Sequence, residues 1–243
     1  MADLTDKSRR TFLRYSAAAM GAAALTGCAS DDQSQIAASP PPAAPEGPVA
    51  NGKEALQRLM DGNRRFAGNQ TVHDDEGQER RIAVRQGQHP FATILGCVDS
   101  RVPAELVFDR GLGDLVVVRT AGEVLDKAVT GSLEFGVAEL ETPLLMVLGH
   151  QRCGAVDATI KALDARLKDA EGDIGFLVEA LERAVRQVTG KPGDRLANAV
   201  HANVELVLQQ LRKSPVLGPA EKAGKVLLVG AYYDLDTGKV LLS

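Results

Sequence analysis

The sequence predicts an α/β fold: a mainly parallel central β-sheet flanked by helices, with an N-terminal helical arm and a short C-terminal edge strand. Short, continuously apolar runs are typical of strands buried on both faces, and segments with helical periodicity separate them. A polar turn near the C-terminus precedes one last short apolar run. Strands that alternate with helices favour a parallel sheet covered on both sides.

The first element is an amphipathic helix over residues 52–67, because apolar residues from Leu56 to Phe66 fall at helical spacing. We expect this helix to act as an arm that packs on a partner subunit. The polar stretch after it contains a second helix over residues 79–86, and Pro90 separates that helix from the first strand.

Four apolar runs predict the parallel strands of the sheet. They cover residues 91–96, 115–118, 144–148 and 226–230. Helical patterns lie between them, over residues 103–108, 131–140, 154–169, 174–189 and 194–212. A hairpin turn at residues 233–238 then leads into the edge strand.

Composition narrows the class of protein. The chain has 243 residues, of which 44% are hydrophobic and 25% are charged, so it is long enough for one main domain with a substantial core. Its net charge of -4 and its 4% of aromatic residues, with no Trp, argue against a nucleic-acid partner. We place the main domain at residues 52–243.

The N-terminus is typical of an export signal. Residues 8–14 carry the twin-arginine pattern Ser-Arg-Arg-Thr-Phe-Leu-Arg, and the apolar run from Tyr15 to Leu25 is too short to span a bilayer. The sequence therefore predicts a Tat-type signal peptide over residues 1–27, which directs the chain to the Tat export machinery.

The signal ends in Leu-Thr-Gly-Cys, which resembles a lipobox with Cys28 as the lipidated residue. Residues 28–51 then form a Pro/Ala-rich linker that cannot build a core. We expect an exported protein in the periplasm or cell envelope, attached to the membrane only through this lipid anchor. A plainly cleaved signal with an incidental Cys28 is the alternative.

Three residues suit a zinc site. Cys97 follows the first buried run, and His150 follows the third. Functional groups gather at the carboxyl ends of parallel strands, so we expect these two segments to meet in space. The spacing from His150 to Cys153 lets one turn at the start of a helix supply two ligands. Two thiolates and an imidazole suit zinc and leave a fourth tetrahedral position for water or substrate.

Asp99 and Arg101 lie just after Cys97. The carboxylate of Asp99 could complete the zinc shell in a closed state or accept a hydrogen bond from zinc-bound water, and Arg101 could hold it away from the metal in a bidentate clamp. Zinc lowers the pKa of bound water from about 16 to about 7, so the pattern predicts water activation. An ordinary surface ion pair is the alternative for Asp99 and Arg101.

A disulfide is the alternative for Cys97 and Cys153, because exported proteins commonly oxidise their thiols. A disulfide leaves the residues around each cysteine unexplained. Tat substrates cross the membrane folded, so both thiolates could bind zinc in the reducing cytoplasm before export.

The paired motifs Cys97-Val-Asp-Ser-Arg101 and Gly149-His-Gln-Arg-Cys-Gly154 resemble the signature of β-carbonic anhydrases. Further similar segments are Gln88-His-Pro90, Arg119-Thr-Ala-Gly122, Gly131-Ser-Leu-Glu-Phe135 and Gly230-Ala-Tyr-Tyr-Asp234. The resemblance implies a lyase with one Zn²⁺ per subunit, in which a zinc-bound hydroxide attacks carbon dioxide to give bicarbonate and a proton. It also implies a substrate hydrogen bond from Gln88, another from the backbone N–H of Gly154, and a homodimer or tetramer with clefts at the subunit interface.

Three positions differ from parts of that family. Phe135 replaces a cleft tyrosine, Val116 replaces a phenylalanine, and Ile94 replaces the tryptophan of a bicarbonate-inhibited subtype. The difference at Ile94 favours an open site in which Asp99 pairs with Arg101. Two alternative functions stay open: hydrolysis of carbonyl sulfide or carbon disulfide at the same centre, and a non-catalytic zinc or thiol protein of the cell envelope.

Overall fold

The structure is a computed structural model, and it describes residues 47–166 and 172–243. The predicted signal peptide, Cys28 and most of the predicted linker lie outside the described residues. The helices are α1 (Gly52–Ala67), α2 (Gln78–Val84), α3 (Ala104–Val107), α4 (Lys127–Ala138), α5 (Gly154–Asp164), α6 (Ile174–Gln187), α7 (Arg195–Leu211) and α8 (Leu217–Lys222). The strands are β1 (Ala92–Cys97), β2 (Leu115–Thr120), β3 (Leu144–His150), β4 (Leu227–Tyr233) and β5 (Val240–Leu242).

Within the described part of the chain the strands form one sheet, in the order β2-β1-β3-β4-β5. Strands β1 to β4 are parallel, and β5 runs antiparallel to β4 as an edge strand. The sequence-based expectation of a mainly parallel sheet flanked by helices is therefore confirmed.

Alternating side chains on the inner strands pack on opposite faces of the sheet. On β1, Ile94 is buried in the layer that includes Leu59 of α1 and Val107 of α3, whereas Leu95 is buried in the opposite layer with Leu133 of α4 and Val204 of α7. Because both faces of β1 and β3 are covered, their sequences are apolar throughout instead of alternating with polar residues.

The strands extend beyond the apolar runs that predict them. Cys97 and His150 are the last residues of β1 and β3, whereas the sequence places them just after those strands. Backbone pairing continues through them, since Cys97 lies opposite Thr120 and His150 lies opposite Tyr233 in the ladder. The apolar pattern ends before the strand does, because Cys97 and His150 are polar but are still buried and paired in the sheet.

Helix boundaries follow local capping more closely than periodicity. Helix α1 begins and ends where its pattern predicts, and the Asn51 side chain caps it by accepting hydrogen bonds from Lys53 N and Glu54 N. Helix α4 begins at Lys127, earlier than predicted, because Asp126 Oδ1 accepts from Val129 N at 2.7 Å. Helix α8 was not predicted, since it is short and contains Gly218 and Pro219.

No helix in the two described stretches, residues 47–166 and 172–243, combines the length and the apolar character that crossing a bilayer requires.

Candidate metal centre

The sheet brings two of the predicted zinc ligands together. Strands β1 and β3 are neighbours, with Gly96 paired to Leu148, so their last residues Cys97 and His150 lie at the same edge of the sheet. Cys153 is the residue immediately before α5, on the loop that leaves β3. Cys97, His150 and Cys153 are 3%, 0% and 1% exposed, which places all three donors away from bulk solvent.

The spacing of the three donor atoms fits a metal ion. The two sulfurs and the imidazole nitrogen of Cys97, His150 and Cys153 all lie within 4.8 Å of one another. The two Sγ atoms are 4.0 Å apart, so the cysteines are not joined in a disulfide. Tetrahedral zinc with Zn–S bonds of about 2.3 Å separates its two sulfurs by about 3.8 Å. The cysteines therefore already stand close to the spacing that zinc needs.

The imidazole of His150 is oriented for ligation. Its Nδ1 lies 2.9 Å from the carbonyl oxygen of Gln151, so Nδ1 carries the proton and donates to that carbonyl. Its Nε2 is buried and has no hydrogen-bond partner among the described residues. A buried nitrogen lone pair without a donor is costly, and a bound cation removes that cost.

The two thiols interact strongly. The Cys153 thiol donates a hydrogen bond to Cys97 Sγ and, together with the backbone N–H of Gly122, lowers the pKa of Cys97 to about 4 despite burial. The same hydrogen bond and burial raise the pKa of Cys153 well above its usual range. Without a cation only one sulfur ionises readily, because the second charge faces the first in a buried site. Zn²⁺ removes this conflict and allows both thiolates to act as ligands.

Asp99 and Arg101 form a pair beside the ligands. Arg101 donates to Asp99 through Nε at 2.9 Å, through Nη2 at 2.8 Å and through its backbone N–H at 3.0 Å. These bonds hold the pKa of the Asp99 carboxyl well below its usual range. Asp99 Oδ2 also lies 4.0 Å from His150 Nε2, so the carboxylate borders the centre while its oxygens face Arg101.

The two residues predicted to contact substrate, Gly154 and Gln88, lie in different surroundings. Gly154 is the first residue of α5, directly after Cys153, and a Cβ added there would meet no atom within 4 Å. Its backbone N–H belongs to the unpaired first turn of the helix, which favours an anionic or polar oxygen. Gln88 is exposed in the loop between α2 and β1, and its side chain makes no hydrogen bond within the described stretches.

Arg119 supports the site, although the sequence suggested no role for it. From β2 it donates Nε to the Cys97 carbonyl at 2.8 Å and Nη2 to the Asp99 carbonyl at 2.6 Å. It thereby holds the backbone that carries a ligand and the acidic residue. Its place in the sheet could have indicated this role. Arg119 is paired in the β1–β2 ladder with Gly96, the residue just before Cys97.

The turn between β4 and β5 braces the loop that carries Cys153. Gln151 donates Nε2 to Asp236 at 3.1 Å and accepts from Leu235 N at 3.1 Å, and Arg152 pairs with Asp236 at 2.7 Å. Arg152 has a φ of 54°, an uncommon conformation that such contacts help to maintain. The predicted hairpin turn thus serves the metal centre as well as the sheet.

Known proteins match this chain in sequence. A family model described as carbonic anhydrase matches residues 92–240. The carbonic anhydrase of Mycolicibacterium smegmatis is 43% identical over 202 residues, covering 80% of this chain and 95% of that protein. Carbonic anhydrase 2 of Mycobacterium tuberculosis is 37% identical over 202 residues, covering 80% of this chain and 94% of that protein.

Solved structures show the same fold. The β-carbonic anhydrase CcaA matches with a TM-score of 0.60 at 25% identity, covering 77% of this chain and 94% of that one. A structure from a study of two tetrameric β-carbonic anhydrases of Sordaria macrospora matches with a TM-score of 0.61 at 21% identity, covering 77% and 95%. With its Cys97–His150–Cys153 centre, this chain belongs to the β-carbonic anhydrase family, whose members are zinc enzymes.

Proposed function

We propose that this chain catalyses the reversible hydration of carbon dioxide to bicarbonate and a proton, with Asp99 and Arg101 as its working pair beside a zinc centre. The observation that carries the proposal is the arrangement of Asp99. Both of its oxygens are held by Arg101, while Oδ2 stays 4.0 Å from the ligating nitrogen of His150. This arrangement supports an open centre with three protein ligands.

Cys97, His150 and Cys153 would hold the zinc ion, which supplies a water molecule acidic enough to ionise near neutral pH. Asp99 is ionised at neutral pH because Arg101 lowers the pKa of its carboxyl. A carboxylate with a low pKa is a weak base but a good acceptor, so Asp99 orients the attacking water by accepting its hydrogen bond. Arg101 keeps that acceptor in place.

The substrate contacts proposed for Gln88 and Gly154 complete the site. The unpaired N–H at the start of α5 and the free amide of Gln88 are both donors that suit the oxygens of carbon dioxide and bicarbonate. Gly154 follows the ligand Cys153 directly and has open space beside its Cα, since no atom lies within 4 Å of an added Cβ. This space supports a role in admitting substrate.

The test is stopped-flow hydration of carbon dioxide between about pH 6.5 and 9, with zinc-loaded and chelator-treated protein. We expect a rate that requires zinc and rises with pH. A rate that survives complete zinc removal would refute the proposed centre. The comparisons favour this reaction over hydrolysis of carbonyl sulfide or carbon disulfide, and rapid sulfide release without detectable hydration would reverse the choice.

We further propose that the enzyme is exported by the Tat machinery and anchored in the envelope through Cys28. The support is the sequence: Arg9 and Arg10 precede a short apolar run that ends at Cys28. Cell fractionation of the wild type, of a variant with Arg9→Lys and Arg10→Lys, and of Cys28→Ser tests both steps. Export that is unaffected by the double lysine variant would exclude the Tat route, and release of wild type without detergent would exclude the anchor.

We also propose a homodimer or tetramer. Large apolar side chains that a monomer leaves exposed support it, including Val98, Phe135, Leu241 and Leu242 at 51–57% exposure. Light scattering on the purified chain gives the mass directly. A monomer at micromolar concentration would contradict the proposal.

A further inference from the structure

A strained turn lies against one of the zinc ligands. The residues Ala121–Glu123 follow β2 as a single helical turn, in which Gly122 has φ 65° and Glu123 has φ 53°. Glycine adopts this conformation freely, whereas a glutamate in it is strained by about 1 kcal/mol or more. Such strain persists only where surrounding contacts hold it, and Glu123 is 1% exposed.

Asn203 supplies the contacts that hold this turn. Its Nδ2 donates to the Gly122 carbonyl at 2.8 Å and to Glu123 Oε2 at 3.3 Å, and the residue is 4% exposed. Burial and the nearby Cys97 raise the pKa of Glu123 well above its usual range. The link between Asn203 and the turn consists of hydrogen bonds to one backbone carbonyl and one side-chain oxygen.

Helix α7 can bring Asn203 this far in because the sheet beneath it contains glycines. A Cβ added to Gly149 or Gly230 would lie 2.7 or 2.8 Å from a methyl group of Val204, the residue after Asn203. A larger residue at either position would force the Val204 side chain, or the helix that carries it, to shift. The close packing of α7 on the sheet thus brings Asn203 within hydrogen-bond distance of the turn.

The Ala121–Glu123 turn contacts the metal centre through the backbone of Gly122. Gly122 donates its backbone N–H to Cys97 Sγ at 3.4 Å, within hydrogen-bond distance for sulfur. An N–H that points at a thiolate withdraws electron density from it. Two thiolate ligands push electron density onto zinc and so make a coordinated water less acidic, and such a hydrogen bond opposes that effect.

We propose that Asn203 is a positioning residue for catalysis: it fixes the Ala121–Glu123 turn so that Gly122 N–H moderates the electron donation of Cys97 to zinc. The inference rests on the proposed zinc-dependent hydration. It adds a residue from α7 that touches neither metal nor substrate. Asn203 acts through the Gly122 carbonyl and amide, which belong to the two peptide groups on either side of Cα122.

The test compares Asn203→Ala with Asn63→Ala. Asn63 is a matched control, since it is 3% exposed and its Nδ2, like that of Asn203, donates two hydrogen bonds, in this case to the backbone carbonyls of Val107 and Gly238. Both variants lose a buried carboxamide and both should lower the melting temperature. Cobalt-substituted protein reports on the thiolate through its sulfur-to-metal charge-transfer band, and the zinc enzyme reports through the pH midpoint of kcat/KM.

We expect Asn203→Ala to move the band to longer wavelength and to raise the pH midpoint by about half a unit to one unit, as loss of one hydrogen bond implies. Asn63→Ala should leave both unchanged. Equal band positions and equal midpoints in the two variants would show that Asn203 is merely structural. If Asn203→Ala does not fold, Asn203→Ser replaces it in the test, because the serine side chain is too short to reach the Gly122 carbonyl. An unshifted band in folded Asn203→Ser would overturn the proposal.

The cobalt spectrum also separates this inference from the proposed function. If wild-type zinc protein fails to hydrate carbon dioxide, the proposed function is wrong. The comparison of charge-transfer bands still decides whether Asn203 acts on Cys97.

Discussion

Arg101 holds Asp99 with both side-chain nitrogens that face it, at 2.9 and 2.8 Å, while Asp99 Oδ2 remains 4.0 Å from His150 Nε2. The carboxylate of Asp99 thus borders the metal centre, but both of its oxygens are hydrogen-bonded to Arg101. Whether Asp99 assists a water or occupies the metal itself depends on this clamp.

The first prediction concerns Asp99. Replacing Asp99 with Asn keeps the shape but removes the charge that accepts the hydrogen bond of the attacking water. We expect kcat/KM for carbon dioxide hydration to fall by about 100-fold or more, with zinc content unchanged. Stopped-flow kinetics and metal analysis check this. The control is Asp164→Asn at the far end of α5, which weakens an exposed ion pair with Arg195 and should leave the rate unaltered. Full activity in Asp99→Asn would exclude the assigned role.

The second prediction separates substrate access from folding at Gly154. An alanine there meets no atom within 4 Å, so the free energy of unfolding should change by less than about 1 kcal/mol. If carbon dioxide uses that space, the added methyl group should lower kcat/KM by about tenfold or more. Gly131→Ala on α4 is the matched control, because its added Cβ also meets nothing. Equal kinetics in both variants would argue against a substrate contact at Gly154.

The third prediction is a pH dependence of stability. The buried Asp109 accepts from Arg65 Nε at 2.5 Å, from Val72 N at 3.2 Å and from His73 N at 3.3 Å. Burial opposes ionisation, but these donors outweigh it and lower the pKa of Asp109 below 3.8. A depressed folded-state pKa stabilises the fold above the unfolded-state pKa, and this stabilisation is lost as the pH falls through the folded-state value.

Accordingly, Asp109→Asn should lower the free energy of unfolding by about 1–3 kcal/mol at neutral pH. The difference from wild type should shrink below about pH 4. Urea unfolding at several pH values measures it. Asp157→Asn, which breaks an exposed pair with Lys161, should show little change at any pH, and a constant deficit for Asp109→Asn down to pH 3 would contradict the assignment.

The fourth prediction concerns metal removal. The Sγ atoms of Cys97 and Cys153 are 4.0 Å apart, so a small movement brings them within bonding distance. We expect metal-free protein to form this disulfide under mild oxidant and to lose the ability to take up zinc until it is reduced. Zinc-loaded protein should keep both thiols. Thiol titration after denaturation provides the measurement, and equal oxidation of the two forms would count against ligation by both cysteines.

The sequence predicted the elements and ligands that depend on short-range pattern. Apolar runs located β1 and β3, and the rule that functional groups follow parallel strands brought Cys97 and His150 to one edge. Arg119 and Asn203 were not foreseen, because their partners are backbone atoms far away in the chain. Neither residue type nor local spacing reveals which carbonyl a long or buried side chain will reach.

The register of β1 and β3 has a consequence for how the enzyme acquires its metal. Gly96 is paired with Leu148, and the ladder fixes Cys97 and His150 through backbone hydrogen bonds that involve no ion. Small zinc modules fold only when the metal arrives, so their folding equilibrium and their zinc affinity are one quantity. In this chain the sheet itself holds two of the three ligands side by side, so the free energy of zinc binding does not also have to organise the strands that carry them.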